Sequence, residues 1–304
     1  MELPILDVEA LDRGRSIDAL RQACAGIGFF YIAGHGVPEA VTGAAAGQAR
    51  EFFALPLERR MAVSLARSPC HRGYEPMQSQ RLEAGAPPDL KEGYYIGNEI
   101  AAGQARSFNE GPNQWPDALP SFRPAMEAYF VAMQGLAVRM MRAMALSLDL
   151  PGGFLDAFCA NPASLLRLLH YPPQPANPLP GEKGCGAHTD WGCLTLLWQD
   201  TAGGLQVRVG ERDWIDAPPV PGAFVVNIAD MFARWTNGRY RSTLHRVVNA
   251  SGKDRHSMPF FFEGNLRHPV AALPGCVAPG EAPLHPPTTV AEHLAGMYRK
   301  TYAA

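Results

Sequence analysis

Three side chains of metal-ligand type fall in strand-compatible contexts in the second half of the chain. His188 and Asp190 close the stretch Gly184-Cys-Gly-Ala-His-Thr-Asp190, and Leu194-Thr-Leu-Leu-Trp198 follows. That run is rich in residues that suit a strand. If His188 and Asp190 open this strand, their i and i+2 spacing turns both to one face. An imidazole and a carboxylate then converge on one point. His245, in Arg241-Ser-Thr-Leu-His-Arg-Val-Val-Asn249, is the best candidate for a third ligand. Two histidines and one carboxylate on one face leave coordination positions open on Fe(II). Shortly after comes Arg255-His-Ser257, leading into Met258-Pro-Phe-Phe-Phe262. A guanidinium fork matches a carboxylate through two bonds, and a hydroxyl two residues on shares its strand face.

The order His188-x-Asp190, a long gap, His245, a short gap and Arg255-x-Ser257 resembles the Fe(II)- and 2-oxoglutarate-dependent dioxygenases. The resembling branch is the one similar to isopenicillin N synthase and the plant flavonoid and gibberellin oxygenases. The resemblance runs through nearly the whole chain and includes Gly28-Phe-Phe-Tyr-Ile-x-Gly-His-Gly-Val37 near the start. It implies Fe(II) on His188, Asp190 and His245, with 2-oxoglutarate and O2 as cosubstrates. Arg255 and Ser257 match the pair that holds the distal carboxylate of 2-oxoglutarate, and Tyr171 matches a tyrosine touching the same group. Phe261 matches an aromatic beside the substrate. The implied reaction oxidises 2-oxoglutarate to succinate and CO2 while hydroxylating a small or medium-sized molecule. Two alternatives stay open: an iron oxidase that uses no 2-oxoglutarate, similar to isopenicillin N synthase, and a jelly-roll binding protein without turnover.

Other metal readings are weaker. Two histidines and a carboxylate also suit catalytic zinc. Zinc hydrolases of that kind carry His-Glu-x-x-His on a helix, and that motif does not occur here. Cys185 and Cys193 have the opposite strand parity to His188. His35, in Gly34-His-Gly36, has no ligand-type neighbour at useful spacing and reads as a turn histidine bonded to backbone.

The elements that must position these groups follow from periodicity. Leu3 to Asp7 reads as an edge strand, and Ser16 as the cap of a helix reaching about Ile27. Gly28 to Ile32 reads as a strand. Helices follow from about Pro38 to Ala54 and after Pro56. Ser68 to Pro120 is too long for a plain loop. It reads either as walls and lid of a substrate pocket, with Tyr74 and Tyr94 as substrate contacts, or as surface loops anchored by those tyrosines and Trp115. Phe122 to Leu148 has helical apolar spacing, with Met126, Met133, Met140 and Met144 on the stripe. Pro151-Gly-Gly is expected to end this helix. From Leu165 onward short strands alternate with Gly and Pro turns, which suggests a sandwich or barrel. Val290 to Tyr302 reads as a terminal helix. The expected class is α+β, and the resemblance makes the core a double-stranded β-helix, or jelly roll. Residues 1–120 would form an N-terminal helical cap with pocket loops, and 121–304 the long helix plus jelly roll.

The composition adds bounds. The chain has 304 residues and a net charge of −2, so nothing points to nucleic acid or an anionic membrane. No signal-like segment or membrane-length apolar run is visible. The 6 cysteines are scattered and read as reduced thiols of a cytoplasmic protein. Neither the substrate's identity nor the oligomeric state is legible.

Overall fold

The computed structural model describes residues 2–101, 103–104, 109–211 and 213–302. The chain opens with β1 (Ile5–Asp7), α1 (Val8–Asp12), α2 (Ile17–Gly26), β2 (Phe29–Ala33), α3 (Glu39–Ala54) and α4 (Leu57–Met61). Two strands, β3 (Gly73–Glu75) and β4 (Glu92–Gly97), precede the long α5 (Phe122–Ser147) and a short α6 (Asp156–Cys159). Then come β5 (Ala163–Tyr171), β6 (Cys185–His188), β7 (Leu194–Gln199), β8 (Leu205–Val209), β9 (Asp213–Asp216) and β10 (Phe224–Ile228). The chain closes with α7 (Asp230–Trp235), β11 (His245–Val247), β12 (Arg255–Gly264), β13 (Pro269–Val270), β14 (Thr288–Thr289) and α8 (Val290–Tyr302).

The strands form an eight-stranded sheet, β1-β2-β10-β7-β12-β5-β4-β3, and a four-stranded sheet, β6-β11-β8-β9. Only the β1–β2 pair of the large sheet is parallel. The strands of residues 1–120 extend the same large sheet on both of its edges, so the sheet draws on both halves of the chain.

Strand alternation gives the large sheet two working faces. On β12, Met258, Phe260 and Phe262 join one core with the helices, including the fully buried Met126, Met133, Met140 and Met144 of α5. The intervening residues of β12 face the other way, toward the space between the sheets. A second core lies there, with Leu169 and Tyr171 from β5, Leu197 from β7, and Val207 and Val247 from the small sheet. The layers are therefore helices, large sheet, interior, small sheet: the expected α+β sandwich.

Local details differ from the sequence expectation at two helix ends. Ser16 sits in the left-handed region (φ 59°) and makes no side-chain cap bond. The long helix stops before Pro151-Gly-Gly. Asp149 adopts φ 60°, Leu150 N–H bonds to Ala145 O at 3.0 Å and Asp149 N–H to Leu146 O at 3.0 Å. This pairing is the Schellman end, formed without a glycine.

Candidate metal and cosubstrate site

The ladder between β6 and β11 pairs His188 directly with His245, and their rings lie 4.2 Å apart between centroids. Each ring is oriented through Nδ1: His188 to Gly186 O at 2.8 Å, His245 to Thr243 O at 3.2 Å. That leaves both Nε2 atoms for another partner. They approach Asp190 Oδ1 at 3.8 and 3.7 Å. The other carboxylate oxygen, Oδ2, accepts from Thr195 Oγ1 at 2.6 Å and Asn227 Nδ2 at 2.8 Å. One ligand atom from each of the three residues lies within 4.8 Å of the others, and no other such group of His, Cys, Asp or Glu occurs among the described residues.

This convergence corrects one expectation. His188 and Asp190 do not share the start of a strand. His188 is the last residue of β6, in the small sheet, and Asp190 lies in the connection to β7, in the large one. Asp190 is aimed by Thr195 and Asn227 rather than by strand parity.

Burial sets the protonation states a metal needs. It lowers His188, and with the repulsion of His188 it lowers His245 to about 4. Both imidazoles are neutral at neutral pH, as metal ligation requires. Burial also pushes Asp190 up, but the two imidazoles and the Thr195 and Asn227 hydrogen bonds outweigh it and hold the carboxyl below the usual range.

Arg255 begins β12 with a guanidinium that is 1% exposed. Nε donates to Gly203 O at 2.6 Å, Nη1 to Ser257 Oγ at 3.0 Å and Nη2 to Gln199 Oε1 at 3.3 Å. It lies over the Tyr171 ring at 4.7 Å. No carboxylate of the described residues forms an ion pair with it. A buried cation with only neutral partners is costly until an anion reaches it. The other buried cation on this wall, Lys91, is already paired with Asp89 at 2.6 Å and touches Cys185 Sγ at 3.1 Å.

A narrow cleft of about 60 Å³ joins Arg255, Ser257 and Tyr171 to the His188–Asp190–His245 group. On the other side of that group opens a cavity of about 1040 Å³, lined by Trp191, Phe261, Tyr95 and Glu263 among others. Phe261 lines both spaces.

Tyr74 and Tyr94 do not reach either space. Tyr74 is 1% and Tyr94 0% exposed, on the helix side of the sheet. Tyr74 donates to Glu92, Tyr94 donates to Gln114 O, and both rings pack on Phe52. The neighbouring Tyr95, of opposite parity, lines the cavity instead. So the Ser68–Pro120 region does contribute walls, through Arg72, Gln80, Tyr95 and Glu99, but not through the two tyrosines expected. His35 behaves as a turn histidine, with Nε2 at 3.1 Å from Gly222 O and Nδ1 accepting from Val37 N–H at 3.1 Å.

Residues 3–118 match the family described as non-haem dioxygenase in morphine synthesis N-terminal, and 162–264 match the 2OG-Fe(II) oxygenase superfamily. A 2-oxoglutarate-Fe(II) type oxidoreductase of Emericella nidulans, hxnY, is 42% identical over 310 residues, 98% of this chain and 88% of that one. The chain belongs to the 2-oxoglutarate–Fe(II) oxygenases. The 2-oxoglutarate-dependent dioxygenase citB of Monascus ruber is also 42% identical, over 84% of this chain and 81% of its own. A full-length Neurospora crassa protein, solved in complex with alpha-KG and thymine, superposes with a TM-score of 0.88 at 29% identity, covering 99% of this chain and 97% of that one. JOX2 in complex with 2OG, Fe and JA gives 0.81 at 32% identity, over 99% of this chain and 84% of that one. This oxygenase is therefore an Fe(II)- and 2-oxoglutarate-dependent oxidoreductase with the jelly-roll fold of its relatives, and it acts on a small molecule. None of its described helices is long and apolar enough to cross a membrane.

The residues fit the cofactors the family uses. Three ligand atoms face one point with their other polar atoms already bonded, and a buried guanidinium without a counter-ion ends the adjoining cleft. Three residues of this oxygenase's site escape the sequence reading: Thr195, Asn227 and Glu263. Thr195 and Asn227 look like ordinary strand residues. Glu263 could have been found, because it directly follows the apolar run Phe260-Phe-Phe262 and has the strand parity of Arg255 and Ser257.

Proposed function

We propose that His188, Asp190 and His245 hold the Fe(II), and that Arg255, Ser257 and Tyr171 take the distal carboxylate of 2-oxoglutarate in the narrow cleft. The substrate then occupies the larger cavity beside Phe261 and is hydroxylated there. Bound iron and 2-oxoglutarate supply the oxidising chemistry, placing one oxygen atom of O2 in succinate and the other in the product, with loss of CO2. The chain's own residues orient and sort. Gly186 O and Thr243 O fix the imidazole tautomers, and Thr195 and Asn227 turn one Asp190 oxygen away from the metal position. Trp191 and Phe261 give the cavity an apolar wall next to the ligand group. The thymine bound in the Neurospora relative supports a substrate of small-molecule size.

The observation that carries this reading is the buried Arg255, which has no ion-pair partner among the described residues, at the end of a cleft that leads from the three ligands. Removing one partner of such a charge-assisted pair costs about 2–5 kcal/mol, and 1.4 kcal/mol is about tenfold. Arg255→Gln should weaken 2-oxoglutarate binding by roughly 30- to 3000-fold, and Ser257→Ala by about tenfold or less. Anaerobic titration of 2-oxoglutarate into Fe(II)-loaded protein follows the charge-transfer band of the chelated 2-oxo acid. A wild type without that band, or an Arg255→Gln protein that binds as tightly, refutes the assignment.

A further inference from the structure

On β12 the residues that face the sheet interior alternate: Arg255, Ser257, Pro259, Phe261 and Glu263. The first two belong to the cosubstrate cleft. The last, Glu263, lies in the larger cavity beyond the metal ligands. Its carboxylate sits directly on the backbone of Gly192, where an added Cβ would meet Oε2 at 1.9 Å. Gly192 is two residues past Asp190, so the carboxylate stands next to the proposed metal position. Oε2 is buried and has no hydrogen-bond partner, and no ion pair among the described residues includes Glu263. Three more wall oxygens, Asn109 Oδ1, Gln134 Oε1 and Ser164 Oγ, are likewise buried and unpartnered. Against them the wall sets Arg72 Nε, whose guanidinium is otherwise bonded to the carbonyls of Cys70, His71 and Asn109.

A buried carboxyl group without a hydrogen-bond partner is costly, and a site keeps one where a ligand supplies the missing partner. We propose that Glu263 is the residue that selects the substrate, and that the substrate offers it a hydrogen-bond donor on nitrogen, as a protonated amine or a ring N–H. The assignment rests on the larger cavity being the substrate site, as set out above. A nitrogen donor fits better than a second carboxylate, because Asp190 already places one negative charge beside Glu263. The aromatic wall of Trp191, Tyr95 and Phe261 suits a flat ring. A ring held by Glu263 over Gly192 is thereby kept beside the metal ligands.

The test uses the Fe(II)-loaded enzyme with saturating 2-oxoglutarate and three probes of similar size: 2-pyridone, benzylamine and benzoate. Succinate release and displacement binding are read for wild type, Glu263→Leu, Glu263→Gln and Gly192→Ala. Wild type should prefer a nitrogen compound over benzoate. Glu263→Leu should raise the KM of that compound roughly 30- to 1000-fold, with a smaller effect on kcat. Glu263→Gln separates the donors: its amide oxygen still accepts from a ring N–H, giving a loss of about tenfold, whereas an ammonium loses its counter-charge and binds as poorly as in Glu263→Leu. Gly192→Ala, which keeps the Glu263 side chain but displaces its carboxyl group from the glycine, should also raise KM. A wild-type cavity with no preference for the nitrogen compounds, or a Glu263→Leu enzyme with wild-type KM, overturns the proposal. Failure of wild type to bind 2-oxoglutarate in the anaerobic titration would instead overturn the function proposed above.

Discussion

At the residue scale, the proposed site divides into groups that would touch the cofactors and groups that would hold those side chains still. Thr195 and Asn227 belong to the second kind, through the Asp190 oxygen they occupy. Thr195→Val and Asn227→Val should each weaken Fe(II) binding about 10- to 100-fold, the usual cost of losing such support. Competition with a chelator measures this directly, and unchanged iron affinity in both variants would deny them the role. Glu263 gives a pH prediction. Burial, with the nearby Asp190 charge, pushes its carboxyl from 4.5 up to about 8. The folded metal-free protein therefore keeps a proton that the unfolded chain gives up. Stability should fall as pH rises from about 4.5 to about 8, by up to roughly 1.4 kcal/mol per pH unit, and level off above. Denaturant titrations of wild type and Glu263→Gln across that window check it: the difference between them should widen with pH. The convergence of His188, Asp190 and His245, and the pairing of Arg255 with Ser257, were legible because few residue types suit such positions. Thr195 and Asn227 were not, since a hydroxyl or amide on a strand gives no hint of its partner until the sheets are assembled.

At the scale of elements, β4 shows where a sequence stops short. Tyr94 and Tyr95 are adjacent, so a strand must send one each way. Nothing in a tyrosine doublet says which, and a slip of one residue reverses the answer. The structure turns Tyr94 to Phe52 and Phe122 and gives Tyr95 to the cavity. Tyr94→Phe should thus cost about 1–3 kcal/mol of stability, from the Gln114 carbonyl left without its donor, while substrate KM stays within about twofold. Thermal unfolding beside steady-state kinetics separates the two effects, and a large KM change at preserved stability would count against the core placement. The long α5 was plain from its period, because its methionine stripe has one job, to cover a sheet. Its end was not: Asp149 in the left-handed region does what Gly152 was expected to do.

At the scale of the whole molecule, the cavity is closed by the chain's last helix. Ala291, Leu294 and Tyr298 of α8 line it, His293 bonds to Trp191 O at 2.8 Å, and the Tyr298 ring meets Trp191 at 5.1 Å between centroids. Removing residues 291–304 should leave Fe(II) and 2-oxoglutarate binding in place but admit water. The share of succinate formed without hydroxylated product should then rise several-fold, read as the ratio of the two products. An unchanged ratio would show that α8 is a bystander. The overall layering followed from strand and helix periods together, but the meeting of the 72–110 region with α8 around one cavity is a long-range property no local pattern encodes. One consequence lies in β12. The proposed 2-oxoglutarate end and the proposed substrate end are teeth on a single comb, with an axial reach of about 26 Å over eight residues. On that assignment, exchanging the tooth at 263, which lines only the larger cavity, retunes what the enzyme accepts without disturbing its fuel. Adding or deleting one residue between 258 and 260 instead shifts the phase of the comb, sending Phe260 and Phe262 into the cavity and Phe261 and Glu263 into the helices. Specificity in this scaffold is open to drift by substitution and closed to change by insertion.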